Sequence, residues 1–343
     1  MKKGLLLSLI ASTAIFAGGD IAPVEPAAAA PAANCSDFSG NAGVHYRYDQ
    51  ATSTSTAYTT VTLAVEHQMG KGIGFGAEIS GSRNLLNDPA KNAAKLTQLY
   101  LTYAVGNTAV KAGRFALPSA LSPLAYTGTT DGMKGTTFEG ALIANTDIAD
   151  TTLYAAYVYN TVANNVITNA KIVAVGVQYT GLANTTLGLV GYYDTIASAY
   201  KVAGKVDTEL SGVKVSLIGA YAKGGDYGVS GKVAGSFDMF DWNLAATYAK
   251  GTTFTAGQFA KYTYTAVAND TVVEANVKAA VGPGKLYGKL AYTVSAKNLH
   301  ARVGYKAPVW GNVTAGVEYR MNYNTTTKTA SGQQVRVDVT YKF

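Results

Sequence analysis

Apolar and polar residues alternate along most of this chain with the period of a β-strand. The clearest case is the segment Gln333 to Phe343, whose apolar face consists of Val335, Val337, Val339, Tyr341 and Phe343. Successive side chains of a strand point to opposite sides of a sheet, so the intervening residues form a wholly polar face. A strand between lipid and water has this pattern, with aromatic residues at the membrane interface. The last strand of a soluble sheet is the alternative.

The same alternation recurs in eighteen segments. They are Phe38–Asp49, Thr60–Glu66, Ile73–Ser80, Gln98–Tyr103, Ala109–Phe115, Phe138–Ala144, Thr151–Asn160, Lys171–Thr180, Thr185–Asp194, Tyr200–Asp207, Val213–Ala222, Tyr227–Phe237, Trp242–Ala249, Thr271–Val281, Leu286–Val294, Leu299–Lys306, Val313–Asn322 and Gln333–Phe343. An even number of strands returns the chain to the side where it began, as a closed barrel requires. The sequence therefore predicts an all-β fold, a transmembrane antiparallel β-barrel of about 18 strands.

The connections between these segments support a barrel. All eight prolines fall outside the predicted strands, as an uninterrupted hydrogen-bond ladder demands. Tight turns at one end, such as Gly70–Gly72 and Pro308–Gly311, oppose longer connections at the other. The longer connections are Asn84–Lys95, Ala116–Gly135, Gly251–Ala268 and Asn324–Ser331. Trp242 and Trp310 fall beside predicted short turns, where an aromatic girdle is expected.

The N-terminal residues precede the barrel. Residues 1–17 combine two lysines, a short apolar run and a small final residue, which predicts a secretory signal peptide. Residues 18–36 are rich in Pro and Ala and are expected to form a linker, and residues 37–343 form the barrel. Cys35 is the only cysteine, which excludes an intrachain disulfide.

Composition excludes several classes of function. Charged residues are 14% of the chain and its net charge is +7. Beyond the predicted signal peptide, lysines and arginines are scattered singly through the alternating segments, so we expect no nucleic-acid partner. The three histidines lack the spacing of metal ligands. No nucleophile elbow or phosphate-binding loop is present, and we expect neither an enzyme nor a cofactor.

The connection Ala116–Gly135 is unusual because it is apolar as well as long, with Leu117, Leu121 and Leu124. An apolar loop of this length must pack against something. We predict that this third loop folds into the lumen and narrows the pore, with Asp131 and Lys134 at the constriction. An outer lid or a contact between subunits is the alternative.

Basic residues recur on the polar face of the last four predicted strands and the first. These are Lys289, Arg302, Arg320, Arg336 and Arg47. Those strands become neighbours when a barrel closes, so the five predict a positive stripe on the lumen wall, which would set ion preference. Alternatively, they are ordinary solvated residues whose field Glu274, Glu318 and Asp338 cancel.

Three stretches give the chain a resemblance to a known family. They are the terminal Val-Thr-Tyr-Lys-Phe, the strand Lys111-Ala-Gly-Arg-Phe115 followed by Leu117-Pro118, and the leader Gly18-Gly-Asp-Ile-Ala-Pro-Val-Glu-Pro26. In them the chain resembles Gram-negative outer-membrane porins, and its leader is similar to those of Campylobacter-type porins.

The resemblance implies specific roles. Tyr341 and Phe343 would form the signal read by the barrel-assembly machinery, Arg114 and Asp131 would lie at the constriction, and the barrel would be a homotrimer of 16 or 18 strands per subunit. The third loop departs from the family in being poor in acidic residues.

We therefore expect a barrel surrounded by lipid in the bacterial outer membrane, through which ions and small hydrophilic solutes diffuse passively. Two alternatives remain open: a substrate-selective uptake channel of the same fold, and a non-conducting structural surface barrel or adhesin.

Overall fold

A computed structural model describes residues 35–86, 93–117, 129–130, 133–163, 166–251 and 269–343. The described strands, in chain order, are β1 Cys35–Asp49, β2 Thr54–Gly70, β3 Ile73–Leu86, β4 Ala93–Val105, β5 Thr108–Phe115, β6 Thr129–Thr130, β7 Met133–Lys134, β8 Thr136–Asn145, β9 Thr151–Ala163, β10 Val166–Leu182, β11 Thr185–Asp194, β12 Ala199–Leu210, β13 Val213–Ala222, β14 Tyr227–Phe237, β15 Phe240–Lys250, β16 Asp270–Val281, β17 Gly284–Thr293, β18 Asn298–Trp310, β19 Val313–Asn324 and β20 Thr329–Lys342. The predicted signal peptide, nearly all of the linker, and Asp131 lie outside the described residues.

Eighteen of these strands form one antiparallel sheet, and β6 and β7 form a separate hairpin. The last strand pairs with the first, in a register that runs from Asn41 opposite Lys342 to Asp49 opposite Gln334. This pairing closes the sheet into an 18-stranded antiparallel β-barrel, which confirms the predicted fold class and strand number. In the part of the chain that the structure describes, no helix is long and apolar enough to cross a membrane.

The chain divides into two compact units. The first consists of the described part of Met1–Ser39 with Leu63–Ser80 and Lys95–Lys205, and it contains most of β4 with β5–β11. The second consists of Gly40–Thr62, Gly81–Ala94 and Val206–Phe343, and it contains most of β1 with β13–β20.

Several hairpins at one end of the strands turn in two residues. At Lys71-Gly72 and at Ser211-Gly212 both residues have positive φ angles, between 50° and 80°. This is the backbone of a type I′ turn, whose twist matches that of the strands it joins. Trp242 and the exposed Trp310 lie near two of these turns, as predicted.

The connection predicted as long at Asn324–Ser331 is shorter than expected. β19 runs to Asn324 and β20 begins at Thr329, so only four residues separate them. Asn324 ends β19 with its side-chain oxygen accepting the amide N–H groups of the second and third residues after it. Asp49 and Asp194 make the same pair of bonds at the ends of β1 and β11. These side chains replace backbone partners and make a tight turn possible.

The prediction that every proline lies outside a strand was wrong for Pro308. Pro308 lies in β18 opposite Thr314, and the register shifts between Pro308 and Trp310. Proline cannot donate to the ladder, but a bulge near a strand end needs no donor at that position.

Candidate functional site

The strands present two chemically distinct faces. On β20 the exposed side chains are Val335, Val337 and Val339, each about 40% accessible, and Arg336 and Asp338 alternate with them. Elsewhere the other face carries buried polar groups, among them His45, Glu78, Lys111, Glu274, Arg302 and Glu318, each less than 9% accessible. We call the face with the exposed apolar side chains the outer face and the opposite one the inner face.

The five basic residues predicted to form a stripe lie in neighbouring positions of the ladder. Lys289 lies opposite Arg302, and Arg302 lies opposite Arg320. Arg336 lies opposite Arg47. On β20, Arg336 is two residues from Gln334, which is the residue opposite Arg320. Directly opposed residues share a face of the sheet, so we name these five residues the basic ladder.

Like charges placed directly opposite each other destabilise a sheet. Arg302 has a cation on each neighbouring strand and is only 8% accessible. Clusters that break a local rule in this way are expected at functional sites.

Carboxylates accompany the basic ladder. Glu318 forms an ion pair with Arg320 and lies opposite Arg336, and it accepts a hydrogen bond of 2.9 Å from the Tyr287 hydroxyl. Glu274 is buried on β16, two residues before Asn276, which lies opposite Lys289. The five cations of the basic ladder thus lie near three carboxylates, those of Glu318, Glu274 and Asp338.

Asp338 belongs to a cluster on β20, β1 and β2 that the sequence did not reveal. Its Oδ1 lies 2.6 Å from His45 Nδ1, and His45 Nε2 lies 2.9 Å from Thr60 Oγ1. The ring of Tyr58 stacks on His45 with centroids 5.0 Å apart, and the Arg47 guanidinium lies 5.0 Å from the Tyr58 centroid. A fully buried Tyr58 thus orients one member of the basic ladder. Alternation predicts the face of these residues but not which of them meet.

A second buried polar cluster lies in the first unit. The Lys111 ammonium lies 3.6 Å from the centroid of the Tyr100 ring, and the Tyr100 hydroxyl donates to Glu66 Oε1 at 2.7 Å. Gly76 makes room for this ring, because a Cβ at position 76 would collide with it. The cation–π contact and the hydrogen bond stabilise charges removed from water. Nothing in the sequence assigned these residues a role.

The third loop begins beside a network around Glu78. Thr97 and Gln98 donate to the Glu78 carboxylate at 2.6 and 3.1 Å. Gln98 Oε1 accepts the N–H of Ala116 at 3.0 Å, and Leu117 is only 5% accessible. The first two residues after β5 are thus buried, and the first of them is held by an inner-face side chain.

Arg114 lies on the other side of β5. It lies opposite Leu99, which is 51% accessible on the outer face, and opposite Glu139. Its Nη2 is 2.6 Å from Glu139 Oε1, and Asn160 donates to the same carboxylate at 2.8 Å. The register separates Arg114 from Lys111, which occupies the inner face.

Asp131 and Lys134 are the other two residues predicted at the constriction. Asp131 and the Lys134 side chain lie outside the described residues. The backbone of Lys134 pairs with Thr129 in the small hairpin.

The final residue of the chain is integrated into the sheet. Phe343 and Gly40 exchange two backbone hydrogen bonds of 3.1 and 3.2 Å. The rings of Tyr341 and Phe343 lie 5.7 Å apart, and both are nearly half exposed.

No group of three or more His, Cys, Asp or Glu side chains is placed to hold a metal ion within the described ranges.

Solved structures of the same fold are known, although neither family models nor curated proteins match this chain. Among solved structures, OccK1 (OpdK) of Pseudomonas aeruginosa superposes with a TM-score of 0.74 at 12% identity, over 90% of this chain and 98% of that chain. A BenF-like porin from Pseudomonas fluorescens Pf-5 gives a TM-score of 0.71 at 12% identity, with the same coverage. OccK2 (OpdF) of P. aeruginosa in complex with glucuronate gives 0.72 at 13% identity, over 90% of this chain and 96% of that chain. The fold is therefore that of a bacterial outer-membrane porin.

Proposed function

We propose that this chain, which has the fold of an outer-membrane porin, acts as one and lets ions and small hydrophilic solutes diffuse across the bacterial outer membrane. One observation carries the proposal: the inner face holds buried charged and polar side chains, while the outer face is apolar and exposed. Water inside a barrel and lipid outside it require this division.

Liposome swelling tests the proposal. Proteoliposomes that contain the full mature chain are expected to swell in isotonic solutions of small sugars, at rates that fall as the sugar becomes larger. Heat-modifiable protein that gives no swelling would instead support a closed structural barrel or adhesin.

We propose further that the basic ladder gives the pore a preference for anions. Its support is the run of opposed cations from β17 to β19, which the three nearby carboxylates offset only in part. Rings or rows of one charge sign set ion preference in water-filled pores. If the carboxylates dominate instead, the preference would be for cations.

A second candidate function is selective uptake of small carboxylates. OpdK of P. aeruginosa was solved with vanillate and OccK2 with glucuronate, and both ligands carry a carboxylate. Arginine binds such groups through two parallel hydrogen bonds, and the ladder presents four arginines. Glucuronate would then block or cross the channel at concentrations where neutral glucose has no effect.

We propose that the third loop enters the lumen and that Asp131 and Lys134 lie at the constriction. The support comes from its first residues, since Ala116 bonds to an inner-face side chain and Leu117 is buried. We do not extend this role to Arg114, because its register places it opposite an exposed leucine.

Three finer proposals rest on the resemblance in sequence. The chain is a Campylobacter-type porin, it assembles as a homotrimer, and Tyr341 with Phe343 forms the signal for the barrel-assembly machinery. Deletion of Phe343 is expected to lower the yield of folded barrel in cells without preventing refolding of purified protein in detergent.

A further inference from the structure

The outer face is not uniformly flat. A groove of about 630 Å³ crosses β1 to β4, β19 and β20, all within the second compact unit. Its lining consists of Ala42, Gly43, Val44, Thr59, Thr60, Val61, Gly81, Ser82, Arg83, Ala93, Val313, Val339 and Tyr341. We call it the outer-face groove.

Small residues make the floor of this groove. An ideal Cβ at Gly81 would lie 3.5 Å from the carbonyl oxygen of Ala93 and 3.7 Å from Val61 Cγ1. A methyl group fits there in ordinary contact, whereas a larger side chain would fill the space. Val44 and Val339 are 49% and 41% accessible, so the walls are apolar and open.

Arg83 is the one charged residue in the lining of the groove, and its side chain is exposed. It lies on β3 three residues before the strand ends at Leu86, near the end with the longer connections. At the other end lie Val313, the first residue of β19, and Tyr341. The groove thus has a cationic end near the membrane surface and an apolar end, which is the polarity of a lipid molecule.

An arginine on the lipid side of a barrel is unfavourable unless it lies near the interface or has an anionic partner. An anionic phosphate headgroup would supply that partner if Arg83, three residues from the end of β3, lies near the membrane surface. A second copy of the chain fits less well, because a stable protein interface buries on the order of 1,000 Å² of well-packed surface. A groove of this volume has the size of a small-molecule site.

We propose that the outer-face groove binds one anionic phospholipid of the membrane, with its phosphate at Arg83 and an acyl chain that runs over Gly81 and Val61 towards Tyr341. This inference rests on the membrane location in the proposed function, but it does not require that the barrel conduct.

Native mass spectrometry of the full mature chain tests the proposal. The protein is reconstituted with an equimolar mixture of dipalmitoyl phosphatidylglycerol and dipalmitoyl phosphatidylcholine and then released from excess lipid. The wild type is expected to retain one phosphatidylglycerol in preference to phosphatidylcholine. Arg83→Gln is expected to reduce this retention about tenfold and remove the preference. Lys297→Gln, in a turn outside the groove, is expected to leave both unchanged.

Two groove-filling variants give an independent readout. Gly81→Leu and, should it fail to fold, Ala93→Leu are expected to abolish retention of both lipids while the barrel remains heat-modifiable. Equal retention of the two lipids by the wild type, or unchanged retention after Arg83→Gln, would overturn the proposal. So would a loss of oligomers on filling the groove without any loss of lipid, since that result would identify a second copy as the occupant. Liposome swelling of the same variants separates a failed lipid site from a failed channel.

Discussion

His45 on the first strand of the barrel is joined to Asp338 on the last, with Nδ1 2.6 Å from Oδ1. The other ring nitrogen lies 2.9 Å from the Thr60 hydroxyl on β2. One buried imidazole therefore links three consecutive strands across the line where the sheet closes. Backbone hydrogen bonds can form between any two strands and do not select a partner. The side chain of His45 therefore adds specificity to the pairing of the first strand with the last.

Replacement of His45 tests that link. His45→Ala is expected to lower the free energy of unfolding by about 1–3 kcal/mol, because it leaves buried polar partners unsatisfied. The measurement is the urea midpoint of the refolded barrel in detergent, followed by tryptophan fluorescence. His67→Ala is the control, since His67 has an exposed hydrogen bond to Ser36. Equal midpoints for the two variants would contradict the role of His45.

Gly40 is expected to tolerate no side chain. A Cβ there would meet the Phe343 ring and the carbonyl oxygen of Thr62. Gly40→Ala should therefore displace the terminal residue and lower the temperature at which the barrel loses its heat-modifiable form. Gly219→Ala is a matched control, because a Cβ at position 219 meets nothing within 4 Å. If both alanine variants melt together with the wild type, the tight approach of Gly40 and Phe343 is not important for stability.

Arg114 is expected to contribute to the stability of the barrel and not to its ion preference. Arg114→Gln removes the 2.6 Å ion pair with Glu139 and is expected to cost about 1 kcal/mol of stability. Because Arg114 lies opposite the exposed Leu99, the reversal potential of the channel should not change. A shift as large as that produced by Arg302→Gln would place Arg114 in the lumen after all.

Trimming the third loop tests its proposed position. Deletion of residues 118–128 with a short Gly-Ser closure is expected to raise the single-channel conductance, because a constriction limits the current. The same treatment of the other long connection, residues 252–268, is the control and is expected to have little effect. An unchanged conductance after the first deletion would refute an inward third loop.

The strands could be predicted from the sequence because alternation is a local signal. All eighteen strands of the sheet were found, with errors concentrated at their ends. β2 begins at Thr54 rather than Thr60, since the added residues are mostly threonine and serine and carry no apolar alternation. Pro308 was misplaced because a bulge depends on the neighbouring strand, which a local pattern does not contain.

The site was predictable only in part for the same reason. Alternation assigns Arg302 and Arg320 to one face, and the order of strands makes them neighbours. Neither alternation nor strand order gives the register that sets Arg302 directly opposite Arg320. They also do not predict the contact between His45 and Asp338, which are 293 residues apart in the sequence. Lys111 and Tyr100 were missed because a lone lysine in a strand has no sequence signature of burial.

Single-channel recording in a planar bilayer under a tenfold salt gradient tests the central proposal most directly. We expect discrete conductance steps and a reversal potential that shows preference for anions. This preference should diminish in a Lys289→Gln, Arg302→Gln double variant and persist in Lys297→Gln. Absence of steps from correctly folded, heat-modifiable protein would contradict a porin function, and cation preference unaffected by the double variant would contradict the role of the basic ladder.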